Sequence, residues 1–138
     1  MTTNFTASSF EEDLCKGLRF LISHEGPYLI HCTEGKDRTG FLSAVLECLM
    51  GASGSEVVAD YMMTYCNYYG IKLGSAVYDQ VAQRNIRKDL EKALGSDPLD
   101  ESADLAGGAS SYLKRIGLSE DEIDSLKTIL ASDGSGIE

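Results

Sequence analysis

The chain has 138 residues, of which 43% are hydrophobic and 25% are charged, a composition typical of one soluble globular domain with a sizeable core. Its formal net charge of −10, with no basic run to offset it, argues against nucleic-acid binding. Any attraction to an anion must therefore be local. The amino terminus lacks the basic start and apolar stretch of a secretory signal, which proves nothing about a longer parent chain.

The spacing of apolar residues predicts a mostly helical chain with one strand. Ser9 and Glu12 are spaced as a capping box and predict a first helix over residues 9–24. The run Tyr28–His31 predicts the end of a buried strand, and residues 3–6 are a weaker strand candidate. The remaining helices are expected over residues 41–50, 56–69, 76–94 and 101–116, and after the capping box of Ser119 and Glu122. We expect the tail, residues 132–138, to be frayed.

A stripe of four tyrosines lies on the helix predicted over residues 56–69. It is formed by Tyr61, Tyr65, Tyr68 and Tyr69. At helical spacing such a stripe is more typical of a core than of a stacking surface, and we expect it to be core.

The four cysteines form no C-x-x-C pair. Cys48 and Cys66 lie in apolar helical patterns and are expected to be small core or boundary residues. The two histidines, His24 and His31, have no ligand-type spacing to the cysteines, so we expect no metal and no cofactor. Unpaired cysteines suit a reducing, cytoplasmic compartment, although a secreted parent protein stays open.

Residues 31–40 carry most of the functional information. Cys32 follows the predicted strand, a polar loop with Gly35 comes next, and Arg38 precedes the next helix. Backbone N–H groups at a helix N-terminus have no intrahelical partner, so they bind anions. The same position and a nearby cation lower the pKa of a cysteine. The pattern predicts a thiolate nucleophile beneath an oxyanion site.

The segment His31-Cys32-Thr-Glu-Gly-Lys-Asp-Arg38-Thr-Gly40, called the signature loop below, resembles the signature of cysteine-dependent protein tyrosine phosphatases. Its Gly-Lys-Asp-Arg-Thr-Gly ending is most similar to the bacterial branch that includes mycobacterial phosphatase B, which acts on phosphotyrosine and phosphoinositides. The resemblance extends weakly to about residue 131, and the amino-terminal strands of the family have no counterpart in this chain.

The resemblance implies a role for each loop residue. Cys32 would attack phosphorus, Arg38 would bind two phosphate oxygens, and the Thr39 hydroxyl would assist the thiolate. His31 and Gly40 would support the loop. The implied phosphate-binding residues are Thr33, Glu34, Gly35, Lys36, Asp37, Arg38 and Thr39.

Three charged side chains of the loop leave alternatives open. Asp37 matches the aspartate proposed as general acid in the mycobacterial-type branch, or it only orders the loop. Lys36 is a second cation at the mouth, or a solvated lysine. The Glu34 carboxylate would repel a phosphate dianion unless it points outward or pairs with Lys36.

The resemblance implies an α/β phosphatase-like fold, predominantly helical in this chain with one clear strand, in a single partial domain over residues 1–131. A lone strand leaves backbone groups unpaired, so we expect a fragment of a larger fold that forms a homo-oligomer. The expected function is phosphatase action on a phosphotyrosine protein or a phosphoinositide, with phosphate or sulfate as a simple ligand. The alternative is a catalytically incompetent phosphate-binding or assembly module.

Overall fold

A computed structural model describes residues 3–95 and 102–132 of the chain. The described residues form helices joined by loops, of which the one over residues 24–37 carries most of the signature loop, and they contain no β-strand. In chain order the helices are α1 (Ser8–Ser23), α2 (Arg38–Leu49), α3 (Gly54–Tyr69), α4 (Ala76–Arg84), α5 (Ile86–Leu94), α6 (Leu105–Ile116) and α7 (Glu120–Leu130).

The strand predicted at Tyr28–His31 is wrong for this structure. These residues have no regular secondary structure, and Leu29 is 88% exposed rather than buried. A strand requires a neighbouring strand to accept its ladder hydrogen bonds, and the described part of the chain offers none. The segment is fixed instead to α1, because the Tyr28 hydroxyl donates hydrogen bonds to the carbonyls of Leu21 and His24.

The weaker strand candidate at residues 3–6 is also wrong. The segment forms a turn in which the Asn4 carbonyl accepts from the Ala7 N–H at 3.2 Å. Phe5 is buried and stacks on Phe41, with 4.5 Å between ring centroids. The Phe5 ring therefore anchors the turn to the beginning of α2.

Local signals place most helices but not all their ends. The capping box of Ser119 and Glu122 is confirmed at the start of α7. The proposed capping box at Ser9 is wrong, since α1 begins at Ser8 and no side chain caps it. Ser53 caps α3 through a capping box with Glu56, so this helix begins before the predicted residue 56. The helix predicted over residues 76–94 is divided at Asn85.

Helix α2 lies at the centre of the packing and contacts α3, α5 and α6. Its Phe41, Val45 and Cys48 are completely buried. At the carboxyl-terminal end of the chain, Leu113 on α6 and Leu126 on α7 are buried equally well. This core holds the amino-terminal end of α2, and with it the signature loop, in a fixed position.

The tyrosine stripe on α3 divides between core and surface. Tyr61 and Tyr65 are buried, as expected, whereas Tyr68 and Tyr69 are 63% and 48% exposed. The pair of exposed rings lies at the end of α3.

No helix of the described residues is long and apolar enough to cross a membrane. The predicted frayed tail falls almost wholly on residues 133–138, which lie outside the described residues.

Candidate active site

The signature loop forms the wall of a cavity of about 590 Å³. The lining side chains come from Thr3 and from the loop: Cys32, Thr33, Glu34, Lys36, Asp37 and Arg38. Most of the sequence-predicted binding residues thus share one cavity, to which Thr3 of the amino-terminal turn is added, whereas Gly35 and Thr39 are not among the lining residues.

The backbone of the loop curls around the cysteine and runs directly into α2. Gly35 has φ of +64°, a left-handed conformation that favours glycine. The Phe41 N–H donates to the Asp37 carbonyl at 2.8 Å, so helical hydrogen bonding begins within the loop. The N–H groups of the first helical residues, Arg38 and Thr39, are directed out of the helix end, as an anion site requires.

The surroundings of Cys32 favour the thiolate. Burial alone would raise the pKa of the thiol, but it is outweighed by hydrogen bonds from the Thr39 hydroxyl and from the backbone N–H groups of Thr39, Glu34 and Gly35. The pKa of Cys32 is lowered from 9.0 to about 7. By contrast, burial raises the pKa of the Cys48 thiol to about 11. Cys32 is therefore ionised to a large extent at neutral pH, as a nucleophile must be.

The Thr39 hydroxyl is placed for this role. Its oxygen is buried and is otherwise without a hydrogen-bond partner among the described residues. Its hydrogen is therefore available to the Cys32 sulfur.

Arg38 is exposed at the cavity and is held by the loop itself. Its Nη2 donates to Thr33 Oγ1 at 3.1 Å. It forms no ion pair with a described carboxylate, so its charge is not neutralised within the part of the chain that the structure covers. A planar guanidinium in this position can bind two oxygens of a phosphate.

Lys36 lines the cavity but is not a freely solvated lysine, because its ammonium is paired within the protein. Its side chain is only 16% exposed, and its Nζ lies 3.1 Å from Tyr69 Oη, 3.2 Å from Glu34 Oε2 and 3.8 Å from Asp37 Oδ2. The ammonium also lies over the rings of Tyr65 and Tyr69. The hydrogen bond to Tyr69 raises the pKa of Lys36 above its usual value. Burial lowers this pKa, but the hydrogen bond to Glu34 raises it further.

Two supporting residues of the signature differ in their placement. The ring of His31 is exposed, has no hydrogen-bond partner among the described residues, and lines a separate groove rather than the cavity. Gly40 is required by packing, because a Cβ there would lie 2.9 Å from ring carbons of Tyr61. That close approach brings α3 against the first turn of α2.

Sequence reasoning missed three residues around the loop. Thr3 reaches the cavity because Phe5 anchors its turn, and Tyr69 reaches Lys36 from 33 positions away. Asp89 of α5 lies within electrostatic range of Asp37. Burial raises the pKa of Asp89, the charge of Lys92 lowers it by a smaller amount, and the charge of Asp37 raises it further. In the sequence, the tyrosines at the end of α3 are the signal that could have led to Tyr69. Helical periodicity, however, assigns these tyrosines to the core.

Comparison with known proteins agrees with the loop geometry. A family model described as "Tyrosine phosphatase family" matches residues 3–132, nearly the whole chain. The chain belongs to the tyrosine phosphatase family.

A curated relative gives the same result. A "Tyrosine-protein phosphatase" of Nostoc commune is 31% identical over an alignment of 137 residues, and the match covers 84% of this chain and 43% of the relative. The chain thus spans less than half the length of that relative. No solved structure matches the chain.

Proposed function

We propose that this phosphatase-family chain hydrolyses phosphate monoesters through a phospho-cysteine intermediate on Cys32. One observation carries the proposal: a cysteine with a pKa of about 7 shares a cavity with an unneutralised arginine and a helix N-terminus. The substrate class follows from the resemblance of the loop to the mycobacterial-type branch, and comprises phosphotyrosine and phosphoinositides.

The reaction requires two steps at phosphorus. In the first, the Cys32 thiolate forms an S–P bond while the P–O bond to the leaving group breaks, and the leaving oxygen takes a proton from Asp37. In the second, water attacks phosphorus, its proton returns to Asp37, and the S–P bond breaks to release phosphate and thiolate. Arg38 and the loop N–H groups bind the phosphate oxygens throughout, as an oxyanion hole does.

Hydrolysis of p-nitrophenyl phosphate tests the proposal directly. We expect turnover by the parent chain and none by Cys32→Ser, which keeps the shape of the site but has a far weaker nucleophile. Arg38→Ala should also abolish binding of inorganic phosphate, measured by calorimetry. Equal turnover by parent and Cys32→Ser would contradict the mechanism.

The role of Asp37 is tested by the choice of leaving group. A general acid matters most when the leaving group is poor, so Asp37→Asn should slow phenyl phosphate by roughly 100-fold or more. It should barely affect a fluorinated umbelliferyl phosphate, whose leaving group departs without a proton. Equal losses on both substrates would show that Asp37 only orders the loop.

A second candidate function is a phosphate-binding or assembly module that does not turn over substrate. It is favoured by an apolar groove beside α1, lined in part by Phe20, Leu29 and Ile30, all of them exposed. We propose that the chain is part of a larger phosphatase fold and that a second copy or the rest of that fold covers this groove. Phosphate binding without turnover of p-nitrophenyl phosphate would support the module.

A further inference from the structure

Three polar groups form a closed triangle on the α3 side of the signature loop. Lys36 Nζ lies 3.1 Å from Tyr69 Oη and 3.2 Å from Glu34 Oε2, and Tyr69 Oη donates to Glu34 Oε2 at 3.4 Å. Each group thus contacts both others. The negative charge of Glu34 is held by a cation and a hydroxyl at the same oxygen.

The triangle rests on a rigid part of the fold. The Tyr69 ring packs on the Tyr65 ring, with 5.5 Å between centroids, and Tyr65 is buried. Asn85 Nδ2 donates to Tyr65 Oη at 2.6 Å, which ties the tyrosine to the junction of α4 and α5. The ammonium of Lys36 lies 5.4 Å and 5.3 Å from the two ring centroids, within cation–π range.

Glu34 needs such an arrangement because it lines the same cavity as Cys32 and Arg38. A free carboxylate there would repel a phosphate dianion and would compete for the Arg38 guanidinium. In the structure the Glu34 carboxylate pairs with Lys36 and not with Arg38, although its side chain is 43% exposed. Something must therefore hold Glu34 to one side, and the contacts identify Lys36 and Tyr69.

We propose that Tyr69 is a positioning residue that, through Lys36, holds the Glu34 carboxylate on the α3 side of the loop and so leaves Arg38 and the loop N–H groups free for phosphate. The inference rests on the proposed function, since it assumes that the loop binds a phosphate group. It assigns Lys36 to Glu34 rather than to the substrate.

Binding of inorganic phosphate, measured by calorimetry, tests the proposal without turnover. Tyr69→Leu removes both the hydroxyl and the ring that hold Lys36, and should weaken binding on the order of tenfold, the effect of one unit charge released near the site. Tyr69→Phe keeps the ring and should give a smaller loss in the same direction. The matched control is Tyr68→Leu, because Tyr68 is the neighbouring exposed tyrosine and contacts the Tyr69 ring edge-on. It should bind phosphate as the parent does.

Rescue separates positioning from a general structural effect. If the released carboxylate causes the loss, Glu34→Gln should strengthen phosphate binding far more in the Tyr69→Leu background than in the parent. Such non-additivity is the signature of coupled residues. A damaged loop would not recover on removal of one charge. An equal effect of Glu34→Gln in both backgrounds would overturn the proposal.

The remaining outcomes are also decisive. Unchanged phosphate affinity in both Tyr69 variants would refute the positioning role while leaving the proposed function intact. Absence of phosphate binding by the parent chain would overturn both. If Tyr69→Leu unfolds on a thermal melt, Tyr69→Phe and its Glu34→Gln double variant decide the matter in the same way.

Discussion

Alkylation of Cys32 by iodoacetamide should follow an ionisation near pH 7, because the pKa of this thiol is lowered from 9.0 to about 7. At about pH 6, roughly one tenth of Cys32 is thiolate, about 90 times the fraction for a thiol whose pKa is 9.0. A thiolate of lower pKa is also a weaker nucleophile, and lowering the pKa from 9.0 to about 7 should reduce its intrinsic reactivity by about six- to tenfold. The net expectation is that Cys32 reacts about tenfold faster than N-acetylcysteine at about pH 6.

The same reasoning predicts that the advantage reverses in alkaline solution. Well above pH 9 both thiols are ionised, and Cys32 should then react more slowly than the reference compound. Rates are measured by mass mapping of the labelled peptides over a range of pH, with the buried Cys48 as an internal thiol that should label slowly throughout.

Thr39→Val provides the matched variant, since it replaces a hydroxyl by a methyl group of similar size. Loss of a hydrogen bond to a charged group should move the Cys32 inflection upward, to roughly pH 8. An unchanged inflection in this variant would refute the role of the Thr39 hydroxyl in stabilising the thiolate. Faster labelling of Cys66 than of Cys32 at about pH 6 would refute the lowered pKa itself.

Three further predictions concern stability and assembly. Gly40→Ala should destabilise the fold by about 1–2 kcal/mol in urea denaturation, because its Cβ would meet the buried Tyr61 ring, whereas Gly17→Ala, with open space around the Cβ, should stabilise it by up to about 1 kcal/mol. Burial and Asp60 raise the pKa of Glu47 from 4.5 to about 8, so the native state binds this proton more tightly than the unfolded chain does. The free energy of unfolding contributed by the protonated group is therefore lost as the pH rises from about 4.5 to about 8. The stability of Glu47→Gln relative to the parent should increase over that interval and stay constant above it. The apolar groove beside α1 should drive self-association, so light scattering that shows only monomer at high concentration would contradict the expected homo-oligomer.

Features set by neighbouring residues could be predicted from the sequence. The capping box at Ser119 depends on a residue three positions away, and the glycine, cysteine and arginine of the signature loop lie within seven positions of one another. Their geometry is local, so the spacing indicates it, although the same spacing of Ser9 and Glu12 forms no capping box in α1. The division at Asn85 leaves no such trace, because the apolar spacing continues across it into α5.

Features set by distant contacts could not be predicted. The contact of Lys36 with Tyr69 depends on the angle at which α3 packs on α2, and helical periodicity assigns Tyr69 to the core. The strand prediction at residues 28–31 is wrong for a related reason. An apolar run favours a β-strand, but the strand forms only when a neighbouring strand pairs with it through backbone hydrogen bonds. The Phe5 anchor likewise depends on a ring 36 positions further along the chain.

The stacking of Phe5 on Phe41 has a practical consequence. Because it holds Thr3 at the wall of the cavity, any polypeptide fused to the amino terminus is tethered close to the signature loop. An acidic affinity tag fused there would be attracted to the Arg38 guanidinium and would compete with a phosphate ligand for it. Because the tag is tethered, its effective concentration does not fall on dilution. Phosphate affinity and activity should therefore be compared between amino-terminally and carboxyl-terminally tagged forms before a low value is attributed to the signature loop itself.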